Sequence, residues 1–350
     1  MGSYPVNEIL TLLLIIISRS KVLFFFSLIS GIFVSISSSS WLIIWIGLEI
    51  NLLSFIPLIS STSNQFSSEI RLKYFLIQAL RSSCILVGLI SSSYLPQSSN
   101  LIITLALIMK IGGAPFHFWF IEIIRQLNWL QIVILNTLQK VAPLILISYV
   151  IQDRLRLITI TVTTFLSAFL GGVGGFNQRA LNKIIAYSSL RHIAWILQRT
   201  LISLYLWLLY FTVYCLLLSS ICFTFHVLKI KNIGQITIKA AERLIIKLII
   251  AFPLISLAGL PPFSGFITKI MVISQLMDTR QVFMTIILIS SSLLSLFFYF
   301  RIFLNSLVLS SSKRKIGLIR ATTELSNKTT LILYFNFIVL LAPGLILVLS

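Results

Sequence analysis

Residues 108–119, Ile-Met-Lys-Ile-Gly-Gly-Ala-Pro-Phe-His-Phe-Trp, interrupt an apolar segment that begins at Leu101 and is otherwise long enough to cross a membrane. The glycine pair at 112–113 favours helix poorly, and Pro115 removes a backbone donor and clashes with the preceding turn. Unsatisfied backbone groups survive in a bilayer only where protein or a watery cavity covers them, so a buried helix break is expected here. Lys110, an ionisable side chain inside this apolar segment, is by default a candidate functional residue.

A second apolar segment, 244–277, is interrupted in the same way. It contains Pro253 and then the run Gly-Leu-Pro-Pro-Phe-Ser-Gly at 259–265, which is followed by Lys269. Two interrupted hydrophobic segments at corresponding places in two halves of a chain point to the ion path of a transporter. The pair therefore predicts a membrane transport protein.

The composition agrees with that class and excludes others. Hydrophobic residues make up 58% of the chain and charged residues 10%, which is outside the range of soluble globular proteins. The net charge of +19 does not indicate a nucleic-acid partner, because the basic residues fall in short loops between apolar runs. The three cysteines form no C-x-x-C pair and no G-x-G-x-x-G fingerprint occurs, so this chain is expected to bind no redox cofactor itself.

The predicted fold is an all-α polytopic membrane protein, a single membrane domain over 1–350. Runs of about 20 apolar residues give about eleven transmembrane helices, at 22–38, 41–60, 72–95, 101–120 (broken), 129–150, 156–176, 180–198, 201–228, 244–277 (broken), 281–307 and 330–349. Residues 1–21 are an N-terminal extension. With this count most loop Lys and Arg residues fall on one side of the membrane, as the positive-inside rule requires.

The two broken spans are the fourth and the ninth, which divides the chain into five-helix units at 22–150 and 154–307. Because five is odd, the second unit must cross the membrane inverted relative to the first. One C-terminal helix, 330–349, is left over. No residue-level repeat is evident, so the two inverted five-helix repeats rest on topology alone.

Glu49 lies in the middle of its predicted span, where a carboxylate on a short stem cannot easily reach the interface. A lone buried carboxylate would take up a proton, whereas one beside an ammonium would stay charged. Lys110 is the natural partner for that role. The alternative is a static buried ion pair that only fixes packing.

Two further lysines lie inside predicted spans. Lys140 is about half-way along the fifth span, and Lys269 follows the second break. Burial favours the neutral form of an ammonium, so both are candidate proton carriers. The alternative for each is a side chain that extends to the membrane surface, which suits Lys269 better than Lys140.

His117 and His192 are candidate relays between the lysines, because imidazole accepts and donates protons near neutral pH. A hydrogen-bonded histidine with only a structural role is the alternative for both.

Six stretches then carry a family resemblance: WIGLEINLLSFIPLIS, LKYFLIQAL, MKIGGAPFHFWF, LQKVAPLILISY, GGVGGFNQRALNKIIAYSSLRHIAW and AGLPPFSGFITK. In this order, from about residue 22 to 307, they resemble the antiporter-like chain 2 family of NADH:ubiquinone oxidoreductase, respiratory complex I. Departures are Ala194 and Ala258, where the family pattern has Gly, and Arg191 beside His192.

The resemblance implies an antiporter-like fold of two inverted repeats with a proton path through the middle of the membrane, in which Glu49, Lys110, Lys140 and Lys269 hold the key charged positions. It also implies that NADH, FMN, the iron–sulfur clusters and ubiquinone are handled by other subunits. Expected partners are complex I membrane-arm subunits, including neighbouring antiporter-like chains, and membrane lipid such as cardiolipin. The expected location is the mitochondrial inner membrane with basic loops on the matrix side.

Two other functions keep the same fold. A subunit of a free-standing cation/proton antiporter would use the same charged residues, and a non-pumping membrane scaffold would give them no transport role. The residues alone separate these alternatives poorly.

Overall fold

A computed structural model describes residues 19–59, 67–94, 96–150, 154–201, 203–240, 244–261 and 263–307. The predicted C-terminal helix 330–349, Pro262 and residues 1–18 of the predicted extension lie outside these ranges. The described part of the first half forms seven helices, α1 (Arg19–Ser37), α2 (Trp41–Ile59), α3 (Ser67–Ser91), α4 (Pro96–Ile111), α5 (Phe118–Gln126), α6 (Trp129–Asn136) and α7 (Leu138–Val150).

The described part of the second half also forms seven helices, α8 (Arg154–Val173), α9 (Leu181–Thr200), α10 (Leu204–Leu228), α11 (Ile233–Ala240), α12 (Leu244–Ala258), α13 (Ser264–Asp278) and α14 (Val282–Leu307). Apart from one isolated antiparallel bridge between Ala180 and Asn232, all regular structure in the described ranges is helical. The all-α prediction is confirmed, while the short helix α11 was not predicted.

Seven helical segments in the described ranges are long and apolar enough to cross a membrane, and two shorter apolar helices accompany them. The multi-span prediction is therefore confirmed in its coarse form. Large apolar side chains such as Leu23, Phe33 and Ile90 lie on outer helix faces with more than 60% of their surface exposed. This distribution is typical of a protein that faces an apolar solvent.

Helix α9 differs from the apolar spans because it carries Arg191, His192 and Arg199. All of its residues except Lys183 and Tyr187 are nevertheless buried. Helices α5, α7, α8, α10 and α14 pack around it, so both halves of the chain cover it. A polar helix at the centre of an otherwise apolar bundle places charged groups where membrane proteins keep functional residues.

Both predicted helix breaks are confirmed. Helix α4 ends at Ile111 and α5 begins at Phe118, while α12 ends at Ala258 and α13 begins at Ser264. A glycine with positive φ follows each first half, with φ +81° at Gly112 and +79° at Gly259. Glycine adopts this left-handed conformation without the Cβ clash that other residues meet, which explains why the sequence needs it at both points.

The same hydrogen-bond pattern closes both first halves. At the first break the amides of Gly112 and Gly113 donate to Ile108 O, both at 3.1 Å. At the second, the amides of Gly259 and Leu260 donate to Ile255 O at 3.1 and 3.4 Å. These bonds satisfy carbonyls that the end of a helix would otherwise leave without partners, which a bilayer interior does not tolerate.

The predicted span 129–150 is present as a segment long and apolar enough to cross a membrane, but it contains an interruption that was not predicted. Helix α6 ends at Asn136, Thr137 has φ −107° and ψ −82°, and α7 begins at Leu138. The Thr137 hydroxyl donates to Val133 O at 2.7 Å and so competes with the helical bonding of that turn. A third discontinuity therefore lies within one turn of Lys140.

Candidate functional site

Three of the predicted site lysines are buried, and each lies at a helix discontinuity. Lys110 is 8% exposed and precedes the first break, Lys140 is 2% exposed and follows the Thr137 interruption, and Lys269 is 5% exposed and follows the second break. All three side chains are buried in the protein, which disfavours the membrane-surface alternative given for Lys140 and Lys269. Burial of an ammonium is costly unless polar groups compensate it, so the surroundings of each lysine decide what it can do.

Lys110 borders a small polar cavity between helices α2, α3, α4 and α7. The cavity has a volume of about 10 Å³, close to the space of one water molecule. The residues that line it are Leu48, Asn51, Leu52, Tyr74, Gln78, Lys110, Gln139 and Pro143. Its polar groups offer both donors and acceptors, which suits a site where a proton changes position.

The polar side chains in this wall are connected by hydrogen bonds. Gln139 Nε2 donates to Asn51 Oδ1 at 2.8 Å, and the Tyr74 hydroxyl donates to Gln139 Oε1 at 3.3 Å. Gln139 precedes Lys140 directly in the chain. The amide network therefore extends from the cavity at Lys110 to the start of the turn that carries Lys140.

Glu49 interacts with Lys110 electrostatically but makes no direct ion pair with it. The Glu49 carboxylate lies within electrostatic range of the Lys110 ammonium, yet the two groups form no ion pair closer than 4.0 Å. Glu49 is only partly buried. The predicted pairing thus acts at longer range than direct contact.

Lys140 lies between the two halves of the chain. Its Nζ donates to Asn136 Oδ1 at 2.8 Å across the Thr137 interruption, and Asn136 Nδ2 donates to Ile132 O at 3.0 Å. The same amine lies 4.6 Å from the centre of the Phe120 ring and 6.0 Å from that of Tyr214. Phe120 belongs to the first half and Tyr214 to α10, so Lys140 contacts both.

His192 occupies the next part of the buried region. Its Nδ1 lies 2.9 Å from the Tyr210 hydroxyl and its Nε2 lies 2.8 Å from Arg191 Nη2. Lys140 and Lys269 both lie within electrostatic range of the ring. The structure therefore brings this predicted residue within electrostatic range of two of the predicted lysines.

Lys269 is held at the second break itself. Its amine donates to Ala258 O, the carbonyl of the last residue of α12. Its Nζ also lies 5.9 Å from the centre of the Trp195 ring of α9. The lysine thus joins the two halves of the broken helix and faces the polar central helix.

His117 is not brought to the lysines in the same way. Its ring Nδ1 lies 3.1 Å from Pro115 O, and its ring packs against Phe118 at 4.3 Å between centres. Because a carbonyl only accepts, Nδ1 is the donor of this bond. His117 is buried at the first break, and its bonding partners in the described chain belong to that break.

Several polar residues of this site were missed by the sequence interpretation, namely Asn136, Tyr210, Tyr214 and Gln139. Asn136 and Thr137 are poor helix formers inside an apolar run, which is a signal that could have found the third interruption. The tyrosines carry no such signal in an apolar helix. Within the described ranges no three His, Cys, Asp or Glu side chains come together to hold a metal ion.

The chain belongs to a known class of antiporter-like membrane proteins. The family described as NADH:quinone oxidoreductase/Mrp antiporter, TM, matches residues 38–99 and 92–295. The fold is similar to a chain of respiratory complex I from Thermus thermophilus, with a TM-score of 0.78 and 19% identity over 94% of this chain and 80% of that one. It is also similar to a chain of the Mrp complex from a Dietzia species, with a TM-score of 0.71 and 16% identity over 80% of this chain and 59% of that one.

Sequence relatives define the class more narrowly. NADH-ubiquinone oxidoreductase chain 2 of Anopheles gambiae is 40% identical over 329 residues, which cover 91% of this chain and 94% of that protein. The chain 2 protein of Aedes aegypti is 40% identical over 328 residues with the same coverage. The chain belongs to the NADH-ubiquinone oxidoreductase chain 2 family. The family resemblance inferred from the six sequence stretches is confirmed.

Proposed function

We propose that this chain is a proton-translocating membrane-arm subunit of respiratory complex I, the NADH:ubiquinone reductase. Family membership supports the assembly, and the burial of three lysines, each at a helix discontinuity, is the observation that supports proton transfer. In this function the chain carries no redox centre. NADH, FMN, the iron–sulfur clusters and ubiquinone are handled by other subunits, and this chain moves protons in response.

The proton-carrying groups form an axis of Glu49, Lys110, Lys140, His192 and Lys269. The amide network of Asn51 and Gln139 supports the step between the first two lysines. The electrostatic interaction of His192 with both Lys140 and Lys269 supports the next step. Neighbouring helices pack about 8–10 Å apart, so protons pass between lysines through intermediate groups and water rather than directly. His117, which is buried at the first break, acts as a proton relay there.

The axis runs through two inverted five-helix repeats, 22–150 and 154–307, followed by the C-terminal helix 330–349, which completes about eleven spans. The breaks support this division, because each is closed by a left-handed glycine and each carries a buried lysine. Inverted repeats place two half-channels of opposite orientation in one chain.

The chain works in the mitochondrial inner membrane with its basic loops on the matrix side. Its partners are neighbouring membrane-arm subunits, including other antiporter-like chains, and lipid, including cardiolipin. The exposed apolar faces of the helices support contacts of both kinds. Basic residues in short loops suit an anionic lipid headgroup.

The substitution Lys140→Arg tests the axis most directly. Arginine keeps the positive charge and approximate length of lysine but does not release its proton in proteins. Proton pumping by the assembled complex in sealed vesicles should fall by roughly a hundredfold or more, the low end of what a proton-transfer group contributes. Assembly of the complex should be retained.

Lys183→Arg is the matched control, because Lys183 is only half-buried and lies at the start of α9. This variant should pump normally. Full pumping by the Lys140→Arg complex would show that Lys140 is a fixed charge or a packing group, which would leave the scaffold alternative for this part of the axis.

A free-standing cation/proton antiporter is the second candidate, and the similarity in fold to the Mrp chain favours it. Purification of the native chain in mild detergent distinguishes the two. An assembly that contains flavin and iron–sulfur clusters selects complex I. Antiporter subunits without these groups select the alternative.

A further inference from the structure

Arg191 is a buried cation that lies beside His192 in the central helix. It is 0% exposed, and no carboxylate within the described residues forms an ion pair with it. Its Nη2 lies 2.8 Å from His192 Nε2 and 3.3 Å from Leu257 O, while Nε and Nη1 have no hydrogen-bond partner among the described residues. An uncompensated guanidinium is costly in this environment, which makes a purely structural role a poor explanation.

The contact with Arg191 determines which nitrogen of His192 carries the hydrogen. A guanidinium has donors and no acceptor, so Nε2 must accept the bond from Nη2. The ring hydrogen is then on Nδ1, which donates to the Tyr210 hydroxyl at 2.9 Å. A second ring proton on Nε2 would point directly at a guanidinium N–H, and the two positive groups would repel each other.

We infer that Arg191 is a positioning residue that holds His192 neutral in a single tautomer. While this contact is present, it blocks proton transfer through His192 between Lys140 and Lys269. The inference rests on the proposed function, because it describes how the same axis is regulated. A proton that leaves Lys140 finds the accepting nitrogen of His192 already bonded to a fixed cation. Proton transfer along this step requires the guanidinium to leave Nε2.

The other bond of Arg191 shows how the relay opens. Nη2 also donates to Leu257 O in the last turn of α12, next to the second break, and the guanidinium lies 5.8 Å from the centre of the Tyr299 ring of α14. A shift of the last turn of α12 therefore pulls on the group that blocks His192. Movement at the break and the proton acceptance of His192 are coupled through a single side chain.

The hydrogen position on His192 can be measured directly. The full chain, with histidine labelled with nitrogen-15 in the ring, is placed in lipid nanodiscs and its ring nitrogens are observed by NMR at neutral pH. The chain has three histidines, and His192→Gln identifies the signals that belong to this ring. We expect a protonated Nδ1 and a bare Nε2 in the native chain. In Arg191→Gln the Nε2 signal should shift towards the protonated form.

Arg191→Lys is the matched variant, since lysine keeps a positive charge and a donor and should restore the native tautomer. The other titratable groups around the ring, Tyr210 and Tyr214 of α10, Lys140 of α7 and Lys269 of α13, are unchanged in both variants. The signals of His117, in the other half of the chain, report whether each variant is folded.

A hydrogen on Nε2 in the native chain overturns the inference, and so does an Arg191→Gln chain that is folded but has unchanged ring signals. If Arg191→Gln fails to fold, the native chain and Arg191→Lys still decide the question. The tautomer measurement needs no pumping, so it is independent of the outcome for Lys140→Arg. The two results can differ. If His192 shows the expected tautomer but the Lys140→Arg complex pumps normally, the proposed axis is refuted and the tautomer assignment still holds.

Discussion

The two long helix breaks share one backbone conformation but differ in the position and charged surroundings of their lysines. A glycine with positive φ follows each first half, and at both breaks the carbonyl four residues before that glycine accepts the same pair of amide bonds. The lysines, however, lie on opposite sides of the two breaks. Lys110 is the penultimate residue of α4, before its break, whereas Lys269 is in the second turn of α13, after its break.

The surroundings of the two lysines differ in a corresponding way. Lys110 borders a polar cavity and makes no hydrogen bond or ion pair with any described residue, while Glu49 acts on it at longer range. Lys269 donates to Ala258 O and lies near the positive charge of Arg191. At the first break, Lys110 borders a cavity in which its proton can change position. At the second break, Lys269 stabilises the broken helix by its hydrogen bond to Ala258 O.

Substitution of each lysine by methionine should separate these two roles with the largest effect. Methionine has a similar length and no charge. Lys269→Met leaves Ala258 O without its donor, and an unsatisfied buried group costs about 1–3 kcal/mol of stability. Lys110→Met removes a buried charge that has no hydrogen bond, so stability should be unchanged or higher. Thermal unfolding of the purified complex in mild detergent measures both.

Both lysine variants should lose proton pumping, so the contrast lies in stability alone. The control is Lys183→Met, at a half-buried position away from both breaks. Equal stability changes for Lys110→Met and Lys269→Met would contradict the distinction between the two breaks.

The two glycines provide a second, smaller comparison. Alanine at a left-handed position costs about 1–2 kcal/mol. At Gly259 an added Cβ would also lie 2.5 Å from Lys269 Nζ, whereas at Gly112 the nearest atom is Phe120 Cβ at 3.0 Å. We therefore expect Gly259→Ala to destabilise the protein more than Gly112→Ala, and to reduce pumping through the displaced lysine.

Gly234→Ala is the matched control for this pair, because a Cβ there would meet no atom within 4 Å. It should leave the unfolding temperature of the complex unchanged or slightly higher, since alanine favours helix over glycine. A Gly112→Ala chain that is less stable than Gly259→Ala would show that Lys269 moves aside without cost.

The breaks could be predicted from sequence because their cause is local. Glycine and proline change backbone energetics wherever they occur, and a lipid surrounding leaves few ways to satisfy the result. The same reasoning made burial of Lys110, Lys140 and Lys269 the leading expectation, while a side chain extending to the membrane surface stayed the alternative for Lys140 and Lys269. Local chemistry thus gave the positions of these residues along the chain.

The contacts between those positions depend on tertiary packing and could not be predicted. The bond of Arg191 to Leu257 O joins residues on separate helices, and Tyr210 meets His192 only because α10 packs beside α9. The position of Glu49 relative to Lys110 depends on how α2 and α4 pack around the cavity, and the direct contact that charge alone favours is not formed.

Glu49→Gln should have the smallest structural effect and tests the first break most closely. Glutamine keeps the shape of the side chain and removes its negative charge. Because Glu49 has no direct ion pair, the loss of stability should be at most about 1 kcal/mol, as for exposed pairs. Its charge acts on Lys110 without direct contact, so proton pumping should fall more than assembly does. Glu69→Gln is the control, since Glu69 forms a surface ion pair with Lys73 at 2.8 Å and lies outside the axis. A complex with Glu49→Gln that assembles and pumps as the native one does would make the Glu49–Lys110 interaction a static one, and the first lysine would then respond to its polar cavity alone.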